Sequence, residues 1–180
     1  RGSNKKKDAA NAKALKTSIK DRAENIMIVD MMRNDLGRIC NTGSINVNPI
    51  FNIEKYRTLF QMTSTVSGRL KKNTGLYDIF KSLLPSASVT GAPKIRTMQI
   101  ISELEKTPRK VYTGAVGMIN PKGDSILNVA IRTIMVQKNR GEMGTGGGIV
   151  YDSKSHREYR ECLLKSVFLV SASKNMHLIE

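Results

Sequence analysis

The chain has 180 residues, 39% of them hydrophobic, with a formal net charge of +15. That length supports one domain with a real core. No apolar stretch reaches the roughly 20 residues of a membrane-spanning helix, and the polar, basic start lacks a signal-peptide core; the expectation is a cytoplasmic protein with no membrane partner.

Two cysteines, Cys40 and Cys162, are too few and too far apart for a disulfide framework or a zinc site, and Cys162 reads as a small core residue. The positive charge points towards nucleic acid, a membrane surface or an anionic ligand. Its distribution argues against nucleic acid. Lysines and arginines are scattered along helical patterns, Lys5-Lys6-Lys7 is the one compact run, and tryptophan is absent.

Residues 8–33 predict one long helix, with Leu15, Ile19, Ala23, Ile26 and Val29 forming a stripe. Asn34-Asp35-Leu36-Gly37 predicts its end, with glycine in a left-handed cap. Residues 38–70 read as strands, interrupted by the turn cluster Asn41-Thr42-Gly43-Ser44. Short helices follow at 76–84 and 93–106, Pro93 sitting in the first turn of the second. Three strands, 111–120, 126–137 and 142–151, are separated by turns at Asn120-Pro121-Lys122-Gly123-Asp124 and Asn139-Arg140-Gly141. A last helix spans 155–171. The predicted class is α+β, an antiparallel sheet with helices on one face.

Asp21 and Glu24 lie three apart on the first helix, and Glu158 and Glu161 repeat that spacing on the last, with Lys165 one turn beyond. Such pairs suit a hard, oxygen-seeking ion such as Mg²⁺. On spacing alone ordinary helix surface is the better fit, with Glu161 and Lys165 a routine ion pair. Gly144-Thr145-Gly146-Gly147-Gly148 falls within the third of those strands. It is either a backbone approached closely by a ligand, whose N–H groups receive a carboxylate, or a bulged edge. Ser88 and Thr90 stand just ahead of a helix N-terminus, where anions bind, and Thr90 could instead be a cap. Arg132, in an apolar strand, is an edge solubiliser or a bidentate carboxylate clamp. His156 and His177 lack metal-ligand company and read as surface residues.

Taken in order, several segments resemble the chorismate-binding enzyme family. They are Ala23-Glu24-Asn25-Ile26-Met27-Ile28-Val29-Asp30 with Arg33-Asn34-Asp35-Leu36-Gly37-Arg38, Ser88 to Lys94, and Tyr112-Thr113-Gly114-Ala115-Val116-Gly117. Ala130-Ile131-Arg132-Thr133, Gly146-Gly147-Gly148-Ile149-Val150-Tyr151-Asp152-Ser153 and Glu158-Tyr159-Arg160-Glu161 complete the set. The resemblance implies that Glu24 and Glu161 ligate Mg²⁺ while Asp21 and Glu158 hold its waters. It implies that Tyr112, Arg132, Thr90 and the backbone of Gly146, Gly147 and Gly148 bind the substrate. Ser88, a hydroxyl at the ring, and Lys165, near metal and carboxylate, are the implied catalytic candidates.

The form of the Ser88–Gly91 and Gly146–Gly148 motifs resembles the family's aminodeoxychorismate synthase branch. The implied activity is amination of chorismate to 4-amino-4-deoxychorismate, on the path to para-aminobenzoate and folate, with ammonia from a glutamine amidotransferase. Anthranilate synthesis and a non-catalytic basic binding module are the alternatives. Two departures stand out. Gln61 occupies a position where many relatives carry histidine, and glutamine cannot serve as a general base. The lysine implied as nucleophile at the ring would precede Arg1, so residues 1–180 read as a C-terminal part of the domain.

Overall fold

The computed structural model describes residues 1–151 and 153–170; Asp152, Ser171 and His177 lie outside them. The class is α+β with antiparallel strands, as expected, and the chain divides into two compact units, Arg1–Ser88 and Val89–Glu180. Among the described residues no helix is long and apolar enough to cross a membrane.

The single helix predicted at the start of the first unit is two, α1 (Lys5–Thr17) and α2 (Ile19–Ile39). The break is local chemistry. Ser18 takes an extended backbone (ψ 116°), and its Oγ accepts the Asp21 N–H at 3.3 Å, making a new N-cap. The predicted stop at 34–37 is overrun. Gly37 stays helical because the next turn is anchored by tertiary contacts: Asp35 is buried, and its carbonyl accepts Ser82 Oγ from α3 (Leu76–Leu83) at 2.5 Å. That bond and the packing around it offset the roughly 1 kcal/mol propensity cost of an internal glycine.

Strands β1 (Asn46–Val47) and β4 (Val66–Ser67) pair antiparallel, as do β2 (Asn52–Lys55) and β3 (Phe60–Thr63). The unit closes on Val29, Ile39, Cys40 and Met62. Cys40, only 2% exposed, is this unit's most buried large side chain, and the close approach of its Sγ excludes a side chain at Gly68. On β2 and β3, Glu54 and Gln61 are direct cross-strand partners. Glu54 accepts hydrogen bonds from Tyr56 and Thr63, which hold its carboxyl below the usual range.

The second unit begins with α4 (Lys94–Leu104). Pro93 is its N-cap residue, without a side-chain cap bond. Thr97 Oγ1 instead bonds back to the carbonyls of Pro93 and Lys94. The first predicted strand is half turn: residues 109–114 fold through Tyr112 N–H to Arg109 O and Gly114 N–H to Val111 O. Lys110 (φ 52°) and Thr113 (φ 65°) adopt left-handed backbone there. A β-branched residue in that region stores about 1–3 kcal/mol, and Thr113 is held by its N–H bond to Ala130 O at 3.0 Å.

Strand β5 (Ala115–Ile119) then pairs with β6 (Ser125–Val129) through the expected Asn120–Asp124 turn. The hairpin exposes Val116, Met118 and Ile126 on one face. The second predicted strand breaks after β6, and its remainder is β7 (Met135–Gln137), paired with β8 (Arg140–Glu142). Arg132 is therefore not in a strand. It sits in the loop between β6 and β7 with φ 50° and an exposed side chain. Residues 143–150, expected as strand, form no ladder among the described residues. The last helix, α5, runs Ser155–Val170.

Candidate active site

Within the second unit, three separated segments meet around one aromatic ring. Tyr112 projects from the 109–114 turn and lies against the glycine run. A Cβ at Gly144 would collide with Tyr112 Cγ, Cδ1 and Cβ, and one at Gly146 would stand 2.6 Å from its hydroxyl oxygen. This explains why the run cannot form a strand with side chains. The backbone is pressed onto a ring, which only glycine permits. Gly147 faces the Glu158 carboxylate and Cys162 Sγ at 3.3 and 4.0 Å from a would-be Cβ, whereas Gly148 faces open space within 4 Å. Cys162 is thus half-buried under the glycine backbone rather than deep in a core.

Helix α5 supplies the charged groups. Lys165 Nζ donates to Gly146 O at 2.9 Å and pairs with Glu161 at 2.8 Å. One turn earlier, Glu158 Oε1 accepts Ser153 Oγ at 2.8 Å, and Ser153 Oγ itself accepts the Val150 N–H at 3.1 Å. Glu158 is thereby fixed from outside its own helix, with its other oxygen towards Gly147. Sequence reasoning named Glu158, Glu161, Lys165, Tyr112, Gly146 and Gly147, and the fold brings these six together. It did not find Ser153 as the partner of Glu158.

Arg132 has no hydrogen-bond or ion-pair partner among the described residues. A planar donor left without a partner retains its full capacity for an external carboxylate. In the first unit, Asp21 and Glu24 occupy successive turns of α2. Asp21 is half-buried, and Glu24 is exposed with Lys20 Nζ at 3.8 Å. Ser88 is exposed and its hydroxyl lies 3.0 Å from that of Ser86. Thr90, half-buried, opens the second unit. Asp21 and Glu24 offer hard oxygen donors as an i,i+3 pair on α2, and Glu158 and Glu161 do so on α5, the donor chemistry Mg²⁺ takes; among the described residues no three acidic, histidine or cysteine side chains gather into a metal-holding group.

Burial pushes the Tyr112 phenol pKa up, and the nearby Arg109 and Lys165 cations oppose that rise. Beyond the ring lies a cavity of about 310 Å³, lined by Glu105, Arg109, Lys110, Tyr112, Glu142 and Gly144 among others. Arg109 is paired with Glu105 at 2.6 Å and Lys110 with Glu142 at 2.7 Å. With both cations compensated, this cavity is a poor receptor for a dianion.

The profile of the chorismate binding enzyme family matches residues 1–171. The chain belongs to that family. It is 43% identical over 177 residues to an aminodeoxychorismate synthase of Streptomyces pristinaespiralis, covering 98% of this chain and 25% of that protein. It is 42% identical to aminodeoxychorismate synthase component 1 of Bacillus subtilis, covering 92% of this chain and 35% of that one. The crystal structure of anthranilate synthase component I from Streptococcus pneumoniae superposes with a TM-score of 0.84 at 42% identity, over 89% of this chain and 37% of that chain. The chain thus spans a quarter of the first of these two relatives and about a third of the second.

Proposed function

We propose that this chain is a C-terminal part of a chorismate-binding domain that aminates chorismate to 4-amino-4-deoxychorismate. Ammonia replaces the ring 4-hydroxyl, which leaves as water, and a glutamine amidotransferase subunit or domain supplies the ammonia. The observation that carries the reading is the convergence of Tyr112, the Gly146–Gly147 backbone, Lys165 and the Glu158–Glu161 pair. Chorismate is a dianion, and this cluster combines exposed backbone N–H groups, a phenol and a lysine beside paired carboxylates.

In this reading Arg132 forks onto one substrate carboxylate, while Tyr112 and the N–H groups of Gly146, Gly147 and Gly148 receive the other. Ser88 and Thr90 contribute hydroxyls near the ring. Lys165, held by Gly146 O, keeps positive charge beside the substrate. Glu24 and Glu161 would hold Mg²⁺, with Asp21 and Glu158 orienting its waters. The ion supplies Lewis-acid assistance to departure of the hydroxyl. Gln61 cannot take a proton at its position, so the residues named here bind, orient and balance charge.

Anthranilate synthesis is the second reading, favoured by the likeness to the pneumococcal anthranilate synthase structure. Product analysis decides between them. Protein expressed from the complete reading frame is incubated with chorismate, ammonium and Mg²⁺, and the products are separated chromatographically. Aminodeoxychorismate supports the proposal, anthranilate replaces it with the second reading, and no consumption of chorismate overturns both.

A further inference from the structure

Tyr112 enters the site from a turn, and a turn alone does not fix a ring. The side chain that does so is Arg109, three residues earlier. Its Nε and Nη2 fork onto the Glu105 carboxylate at 2.7 and 2.6 Å, and its Nη1 donates to Val89 O at 3.2 Å. The guanidinium carbon lies 5.9 Å from the centroid of the Tyr112 ring. Val89 precedes α4 and Glu105 is its C-cap residue, so Arg109 ties both ends of that helix to the tyrosine. Its backbone carbonyl also closes the turn, accepting the Tyr112 N–H at 3.0 Å.

These contacts occupy a planar, five-donor group in the way only arginine allows. The Arg109 side chain is 26% exposed, so its attraction to the ring face is partly desolvated and stronger than at an open surface. The ring also meets the backbone of Gly144 and Gly146, where no side chain could yield. The tyrosine is therefore in contact with both a guanidinium anchored at three points and a bare backbone.

We infer that Arg109 is a positioning residue for Tyr112, setting the ring's pose and hence where its hydroxyl meets the substrate. The inference rests on the role given to Tyr112 above, and Arg109 itself touches no substrate. The cavity on this flank, with both its cations paired, then supports the ring rather than binding the dianion. The charged and titratable groups facing the phenol are Arg109, Cys162, Lys165 and Glu105.

The test uses the chain with ¹³C at Cζ of its tyrosines, the Tyr112 signal being identified by Tyr112→Phe. Arg109→Met should displace that resonance and raise its titration midpoint, because a cation opposing the upward shift is lost. Arg109→Lys should restore the midpoint more than the resonance, since lysine returns charge without the fork. Glu105→Gln, which keeps the guanidinium but loosens it, should also move the resonance, and it carries the test should Arg109→Met fail to fold. In protein from the complete reading frame, Arg109→Met should raise KM for chorismate about 10- to 100-fold, the scale of a small misplacement, with a smaller change in kcat. It should add little in a Tyr112→Phe background. An unmoved Tyr112 resonance in both Arg109→Met and Glu105→Gln overturns the inference, as do KM effects of Arg109→Met and Tyr112→Phe that multiply independently. If the unsubstituted protein consumes no chorismate, the proposed function fails while the resonance measurements still decide the role of Arg109.

Discussion

Gly144→Ala should destabilise the chain more than the same change elsewhere in the glycine run. The added Cβ would lie 2.5 Å from Tyr112 Cδ1 and 2.7 Å from its Cβ, and closer still to Cγ. Carbon atoms at rest are about 3.5–4.0 Å apart, so the ring or the glycine backbone must move by an ångström or so. The atoms struck are at the base of the side chain, which cannot swing away without breaking the turn that Arg109 closes. Overpacking of this kind costs about 1–3 kcal/mol, and the upper half of that range applies here. For a chain of this length the melting temperature should fall by roughly 4–12 °C. Gly146→Ala meets only the far end of the phenol and should cost about 1 kcal/mol. Gly148→Ala meets nothing within 4 Å and should stay within about 0.5 kcal/mol of the parent. Thermal and urea unfolding followed by circular dichroism give the ranking. A Gly144→Ala chain as stable as Gly148→Ala would refute the argument that the run is glycine because of Tyr112. If substrate lies against the Gly148 backbone, Gly148→Ala lowers activity without touching stability.

Four further outcomes test the proposed function and the fold. Arg132→Lys should lower kcat/KM for chorismate about 10- to 100-fold despite the retained charge, because the bidentate fork is lost; unchanged kinetics would return Arg132 to the surface. Glu24→Gln and Glu161→Gln should each weaken the Mg²⁺ dependence of activity, and the double variant should be little worse than either, whereas additive losses would separate them into independent sites. The Glu105 carboxyl is held below its usual pKa of 4.5 by Arg109, so its contribution is present above that pH and lost as pH falls through the folded value. Glu105→Gln should therefore be less stable than the parent in urea at about pH 7, with the difference shrinking as pH falls below 4.5. Val116, Met118 and Ile126 form an exposed apolar hairpin face, so the isolated chain should bind 8-anilinonaphthalene-1-sulfonate and gain mass with concentration in light scattering, and a monodisperse, dye-free monomer would count against that face being built for burial.

The elements were legible where local periodicity and turn chemistry agreed. The 76–84 and 93–106 helices and the Asn120–Asp124 hairpin appear within a few residues of their expected places. The misreadings are cases where a contact distant in sequence overrode a local preference. Ser82, 47 residues from Asp35, carries α2 through Gly37, which reads locally as a stop. Residues 111–114 read as the start of a strand, yet two turn bonds and left-handed Lys110 and Thr113 bend the chain there.

The site divides along the same line. Paired carboxylates at i,i+3 and clustered glycines are visible as patterns, because their spacing within one element is the signal. Ser153 and Arg109 carry no such signal. Ser153 is one of two serines in a polar stretch, and only the placement of Glu158 on α5 beside it turns it into the clamp on that carboxylate. The 105–109 spacing of Glu105 and Arg109 reads as a surface ion pair of little consequence, which would be right on an exposed helix. Here α4 has already ended at Leu104, so the pair spans a helix terminus and a turn instead of one helical face. The same two residue types then act on the orientation of a neighbouring ring. What decides their role is the direction the chain takes after α4, and that direction is set by Val89, Tyr112 and the glycine run together.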